Sequence, residues 1–332
     1  MNLKNLLIDL ASAEGVGYLD TVSKVAKKHL EPISKVTKSE NCFMAEFGEG
    51  DYTLMLEAHM DEVAMIVTEI FDDGFVSVSP VGSIDARLLP AQPVKIYGKQ
   101  TVSGTFTSVP PHLKNDSSVP DFDTCKIDTG NINIGEKISL GDLVLFDAPA
   151  IELKGGRISG KALDNRAGMA AVITAAQKIA DQKPNIKVVL LFPLGEELGL
   201  RGARVSAYNI DADECIVVDV SFGDCPEVPA SKTAKLGSGA MIGISPVLSK
   251  NIYKKLEQLA KEDNIPYTLE VMGGTTSTDA DVITLTKSGI PAGLISIPLR
   301  NMHTPCEVAD INDINAVANL IASYAERGGL NG

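Results

Sequence analysis

A handful of imidazoles and carboxylates stand where the chain pattern would bring them to one edge. His59 follows the run Tyr52–Ala58, in Ala58-His59-Met60-Asp61-Glu62. Glu196 and Glu197 follow the apolar run 188–192 through Pro193-Leu194-Gly195. Asp219 ends the run 215–218, and His303 follows the run 293–297 in Arg300-Asn301-Met302-His303. Asp164 stands in Gly160-Lys161-Ala162-Leu163-Asp164-Asn165. His59, Asp164, Glu197, Asp219 and His303 together make a donor set suited to divalent zinc, cobalt or manganese. One carboxylate bridging two ions about 3.5–4 Å apart would leave each ion a mixed imidazole and carboxylate set. Asp61, two residues after His59, is placed to accept the other ring N–H. Neighbouring glutamates on a strand end point different ways, so one can bind metal while the other faces a water and takes its proton. The expected chemistry is metal-assisted hydrolysis of an amide.

Taken singly, each residue has an ordinary structural explanation. A lone histidine after a strand is more often packed core than ligand, Glu-Glu pairs are common on solvated faces, and Asp219 alone could cap a turn. The other two histidines carry no such signal: His29 lies among Lys27 and Lys28, and His112 follows Pro110-Pro111. The weight is in the joint placement, because each candidate directly follows a run that reads as buried.

The elements that must position them change along the chain. Residues 2–11 and 20–31 read as helices, with Leu3, Leu6, Leu7 and Leu10 on one face. Residues 66–158 carry short alternating runs cut by Gly, Pro and Asp, the pattern of a small all-β unit. Beyond residue 160 helices and strands alternate. Asp164 is expected to cap a helix reaching about residue 180, and Ser249 to cap one holding Ile252, Leu256 and Leu259. Residues 281–287 read as a helix ended by Gly289 and Pro291, and 313–327 as the last helix. The continuous apolar runs suit strands buried on both faces. The expected architecture is an α/β domain, residues 1–65 and 160–332, split by an all-β insert at 66–159. Open α/β sheets place their ligands beyond the carboxyl ends of the strands.

Composition sets the remaining bounds. At 332 residues the chain is long enough for one large core or two domains. Its net charge of −13 argues against a nucleic-acid partner, which needs a basic face. No segment nears the roughly 20 apolar residues of a membrane helix, and the first residues lack the pattern of a signal peptide. The five cysteines are widely spaced with no C-x-x-C, which predicts free thiols and a cytoplasmic location.

Several segments, in order along nearly the whole chain, resemble the M42 family of metallo-aminopeptidases, which includes glutamyl and tetrahedral aminopeptidases and members labelled endoglucanase or cellulase M. They are Glu57-Ala-His-Met-Asp-Glu-Val63, Gly160-Lys-Ala-Leu-Asp-Asn-Arg166, Gly195-Glu-Glu-Leu-Gly-Leu-Arg-Gly-Ala203, Val217-Val-Asp-Val220 and Asn301-Met-His303. The resemblance implies that Asp164 bridges two metal ions, zinc or cobalt. His59 and Asp219 would complete one site, and Glu197 and His303 the other. Glu196 would act as general base and Asp61 would orient His59. It also implies a zinc-peptidase αβα sandwich with a PDZ-like β insert that drives dimerisation. Dimers would assemble into a dodecamer that admits short peptides. The chain departs from the family pattern at Ala58, Ala64, Ser83, 91–93 and Gly273-Gly-Thr-Thr-Ser-Thr-Asp279-Ala280.

The leading expectation is therefore release of N-terminal residues from short peptides. Alternatives are a related di-metal deacylase or carboxypeptidase, an endoglucanase, which needs two carboxylates and no metal, or a non-catalytic shell protein. Arg201, Lys232 and Arg300 are the basic residues that could receive an acidic substrate side chain.

Overall fold

The computed structural model describes residues 2–113, 119–183 and 185–331. Two large β structures organise it. An eleven-stranded sheet has at its centre four parallel neighbours, in the order Ala292–Arg300, Glu214–Phe222, Thr53–Glu57 and Lys187–Pro193. Parallel strands run the same way, so all four deliver their carboxyl ends to one edge. The register aligns Glu57 with both Val217 and Leu191, and Asp219 with Ser296.

Alternation along these strands sorts side chains to two faces. Leu54, Leu56, Val188, Leu190, Phe192, Ile216 and Val218 join one core, covered by the helices Leu3–Ser12, Val22–Leu30, Leu163–Gln182, Lys250–Glu262 and Ile311–Glu326. Met55, Val189, Leu191, Cys215 and Val217 join the other, covered by the short helices Arg201–Ser206 and Ala280–Ile283. The result is a three-layer α/β sandwich. The apolar runs are continuous because both faces of each strand are packed.

A second structure is a closed barrel of six antiparallel strands between Ala64 and Phe146, with its own core of Met65, Val67, Val76, Val94, Ile96 and Phe106 among others. The short alternating runs of this stretch, at 75–78, 94–97, 102–106 and 143–146, all lie in it as strands. The strands Ile151–Leu153 and Arg157–Gly160 pair back into the large sheet through Glu307–Asp310. Among the described residues no helix is long and apolar enough to cross a membrane.

Three expectations need correction. Asp164 does not cap its helix: it and Asn165 have non-helical dihedrals, and the Asn165 side chain instead accepts from the Gly168 N–H at 3.0 Å. The Asp164 carboxylate is turned away, towards two imidazoles. Ser249 occupies its N-cap position without a side-chain cap bond. The helix expected over 281–287 is the single turn Ala280–Ile283, where the Asp281 carboxylate accepts from the backbone N–H groups of Thr276 and Ser277.

Candidate metal centre

The carboxyl edge of the four parallel strands gathers the chemistry. His59 lies just beyond Thr53–Glu57, Glu196 and Glu197 beyond Lys187–Pro193, Asp219 near the end of Glu214–Phe222, and His303 beyond Ala292–Arg300. Asp164 enters from the turn between Arg157–Gly160 and the following helix, where the Asp164–Asn165 peptide is cis. Two of the flanking positions, Ala162 (φ 59°) and His303 (φ 61°), hold non-glycine residues in the left-handed region. Such residues persist only where surrounding contacts fix them, and they gather at functional sites.

The distances place Asp164 at the middle. Its Oδ1 lies 3.1 Å from His59 Nε2, and its Oδ2 lies 3.3 Å from His303 Nε2. His59 Nε2 is also 3.7 Å from Asp219 Oδ1, and His303 Nε2 is 3.2 Å from Glu197 Oε1. His59, Asp164 and Asp219 form one group whose donor atoms all lie within 4.8 Å of each other, and Asp164, Glu197 and His303 form a second. Glu196 belongs to neither group, though its Oε2 comes to 4.0 Å from His59 Nε2. Asp61 Oδ1 stands 3.5 Å from His59 Nδ1, and its two oxygens accept the backbone N–H groups of Glu196 and Glu197 at 3.1 and 3.2 Å. His303 Nδ1 faces the Ser83 carbonyl oxygen at 3.0 Å.

The electrostatics match a site made for cations. Burial pushes the Asp219 carboxyl well above its ordinary value, and repulsion from Asp164 adds to it. Burial likewise lifts Glu196, up to about 9, with Asp219, Asp279 and Glu197 pushing the same way against the attraction of His59. Burial alone would lower His303, but its contacts with Asp164 and Glu197 outweigh that and raise it to about 11. Asp164, which burial would raise, is held well below the usual range by His303 and His59. The two imidazoles thus stand where carboxylates demand positive charge. Divalent ions would supply it instead, with both imidazoles neutral as ligands. On these grounds the residues fit a pair of divalent cations.

The sequence reading did not find the groups that brace this set. Glu307, 2% exposed, accepts the Asp164 N–H at 3.0 Å and the His303 N–H at 2.8 Å, one carboxylate fixing two donors. Asn165 donates to the Val218 carbonyl at 2.7 Å, tying the Asp164 turn to the strand that carries Asp219. Glu57 and Asp279 form a buried carboxyl pair behind His59, and burial lifts Asp279 to about 6. Glu307, Glu57 and Asp279 are acids and Asn165 an amide, and nothing local in the sequence separates them from surface polar residues. Glu307→Gln is expected to weaken metal affinity about 10- to 100-fold, the range seen when a group behind a ligand is lost. Titration with a fluorescent metal indicator measures it.

None of the three basic residues named above lines the cavity over this centre. Arg300 is paired with Asp224 at 2.6 Å, Lys232 lines a neighbouring cavity, and Arg201 is exposed. Cys306 is exposed and in neither donor group.

Comparison with known proteins agrees with this geometry. The family model described as M42 glutamyl aminopeptidase matches residues 41–320. The lysyl aminopeptidase of Pyrococcus furiosus is 28% identical over 94% of this chain and 92% of its own length. The solved aminopeptidase APDkam598 of the archaeon Desulfurococcus kamchatkensis superposes with a TM-score of 0.92 at 30% identity, covering 99% of this chain and 96% of that one. The Pyrococcus horikoshii TET1 peptidase, which can assemble into a tetrahedron or a large octahedral shell, superposes with a TM-score of 0.87 at 27% identity, covering 98% and 99%. The chain belongs to the M42 glutamyl aminopeptidase family and is a metal-dependent aminopeptidase.

Proposed function

We propose that this centre removes the first residue of short peptides using two divalent ions, zinc or cobalt. The observation that carries the reading is Asp164, whose two oxygens face the two imidazoles of separate donor groups. His59, Asp164 and Asp219 would hold one ion, and Asp164, Glu197 and His303 the other. Such a pair supplies Lewis acidity, polarising a carbonyl and lowering the pKa of water. Asp61 orients His59 and, through the two N–H groups it accepts, fixes the turn that aims Glu196 and Glu197 apart. Glu196, free of both donor groups, takes the proton of the attacking water and hands it to the leaving amine. The substrate's free α-amine is held by the carboxylates at the rim.

The wider assignments belong to the same proposal. The insert read at 66–159, within 1–65 and 160–332, holds the closed barrel between Ala64 and Phe146, on which its PDZ-like reading rests, while its last strands, Ile151–Leu153 and Arg157–Gly160, pair into the outer sheet. Dimers assemble into a dodecamer, as the likeness to the shell-forming peptidase suggests. The five free thiols suit a cytoplasmic location.

Chelation tests the metal requirement. Turnover of aminoacyl p-nitroanilides is expected to vanish on dialysis against a chelator and to return when zinc or cobalt is added back singly. Full activity in stripped, metal-analysed protein would defeat the mechanism.

A further inference from the structure

The cavity above the proposed metal centre measures about 630 Å³. His59, Asp164, Glu196, Glu197, Asp219 and His303 line it and are already assigned to the ions and the proton transfer. One carboxylate in the wall remains without a role. Glu270, on the strand Tyr267–Val271, also faces the cavity. Its two oxygens accept from the Ser221 and Ser296 hydroxyls, the latter at 2.7 Å. These serines fix its place relative to the reacting centre. Ser221 lies two residues beyond Asp219 on the same strand, and Ser296 is the register partner of Asp219 on the next. Two residues of strand span roughly 6.6 Å, and adjacent strands lie about 4.8 Å apart. The Glu270 carboxylate is therefore anchored about one side-chain length from Asp219.

A hydroxyl donor takes one lone pair of each oxygen and leaves others open. Among the described residues no Lys or Arg lines this cavity; Lys232 lines the adjoining one, which Glu270 also borders, and no ion pair joins the two. Leu200, Val220, Phe222, Met272 and Met302 give the wall an apolar stretch, and Ser221 with residues 275–278 gives it a run of hydroxyls. An apolar stretch of wall beside one anchored carboxylate complements a cation on an aliphatic stem.

Building on the two-metal reading, we propose that Glu270 selects the first residue of the substrate and that the enzyme prefers basic N-termini, lysine and arginine, over acidic ones. The ammonium or guanidinium donates to the open lone pairs of Glu270 while the stem lies along the apolar wall. An acidic first residue would place its charge against Glu270, which repels it.

The test uses the full chain loaded with zinc or cobalt. kcat/KM is measured on Lys-, Arg-, Leu- and Glu-p-nitroanilide. Wild type is expected to favour Lys and Arg over Glu by at least about 100-fold, and Glu270→Gln to lose about 10- to 100-fold on Lys and Arg, the scale of a charged hydrogen bond, with Leu changed less than about threefold. Glu270→Arg should turn the preference towards Glu. If Glu270 only stitches the Tyr267–Val271 strand to its neighbours, Lys and Leu will fall together in the Gln variant, and that overturns the proposal. So does a wild type that favours Glu, a result that needs no variant to fold. Silence on all four substrates would instead sink the two-metal reading, and this proposal with it.

Discussion

Glu196→Gln is expected to keep both metals and lose roughly 100- to 10,000-fold in kcat, the span attributed to a positioned proton-transfer group. The geometry separates the two properties. Glu196 lies outside both donor groups, so its charge is not required to hold an ion. Its backbone N–H to Asp61 survives the substitution, so the turn that aims Glu197 at its ion stays in place. The amide is nearly the same shape as the carboxyl but cannot accept the proton. Elemental analysis should therefore return wild-type metal content beside a collapsed kcat and a little-changed KM. Metal lost in parallel with activity would make Glu196 a ligand, and an unaltered kcat would move the proton transfer to another group.

The parts of this molecule legible in the sequence are those set by period and by adjacency. The parallel strands announce themselves as continuous apolar runs, because both faces are packed: Val188 to Phe192 is buried throughout. Their order is not readable, since strand pairing is long-range, yet the candidate donors can be named without it. A parallel sheet sends every carboxyl end to one edge whatever the order. His59, Glu197 and His303 were legible for that reason. Asp164 was legible as a candidate but its local role was misread. Its position before a helix looked like a cap, whereas Asn165 caps and frees the carboxylate for the imidazoles. Glu307 and Glu270 could not be found, because each acts through a contact with residues remote in sequence or through a wall that exists only once the sheet forms. Glu270 meets Ser221 and Ser296 across 49 and 26 residues. The same limit explains Arg201, Lys232 and Arg300: charge type was visible, but which side chains reach the cavity was not.

Asp164→Asn should be the more severe lesion, because one substitution removes a donor from both groups at once. The residue is 6% exposed and its backbone N–H is held by Glu307, so an isosteric amide can occupy the same space with the turn intact. What changes is charge and donor type. Asn offers one weakly basic oxygen and an N–H₂ that points hydrogens at whatever faces it. Both imidazoles, His59 and His303, lose the anionic charge between them, and whichever way the amide turns one ion would face a donor in place of an acceptor. The expected result is a fall in bound metal from two per chain to fewer than one, with turnover at the chelated baseline. Far-ultraviolet circular dichroism should stay at wild type, which separates loss of metal from loss of fold. The comparison with Glu196→Gln is the informative one: two carboxyls lining the same cavity, each replaced by its amide, should part company in metal content. Two ions retained in Asp164→Asn would remove the bridge from the mechanism. The site would then have to be rebuilt around separate ions, with Asp219 and Glu197 each holding one.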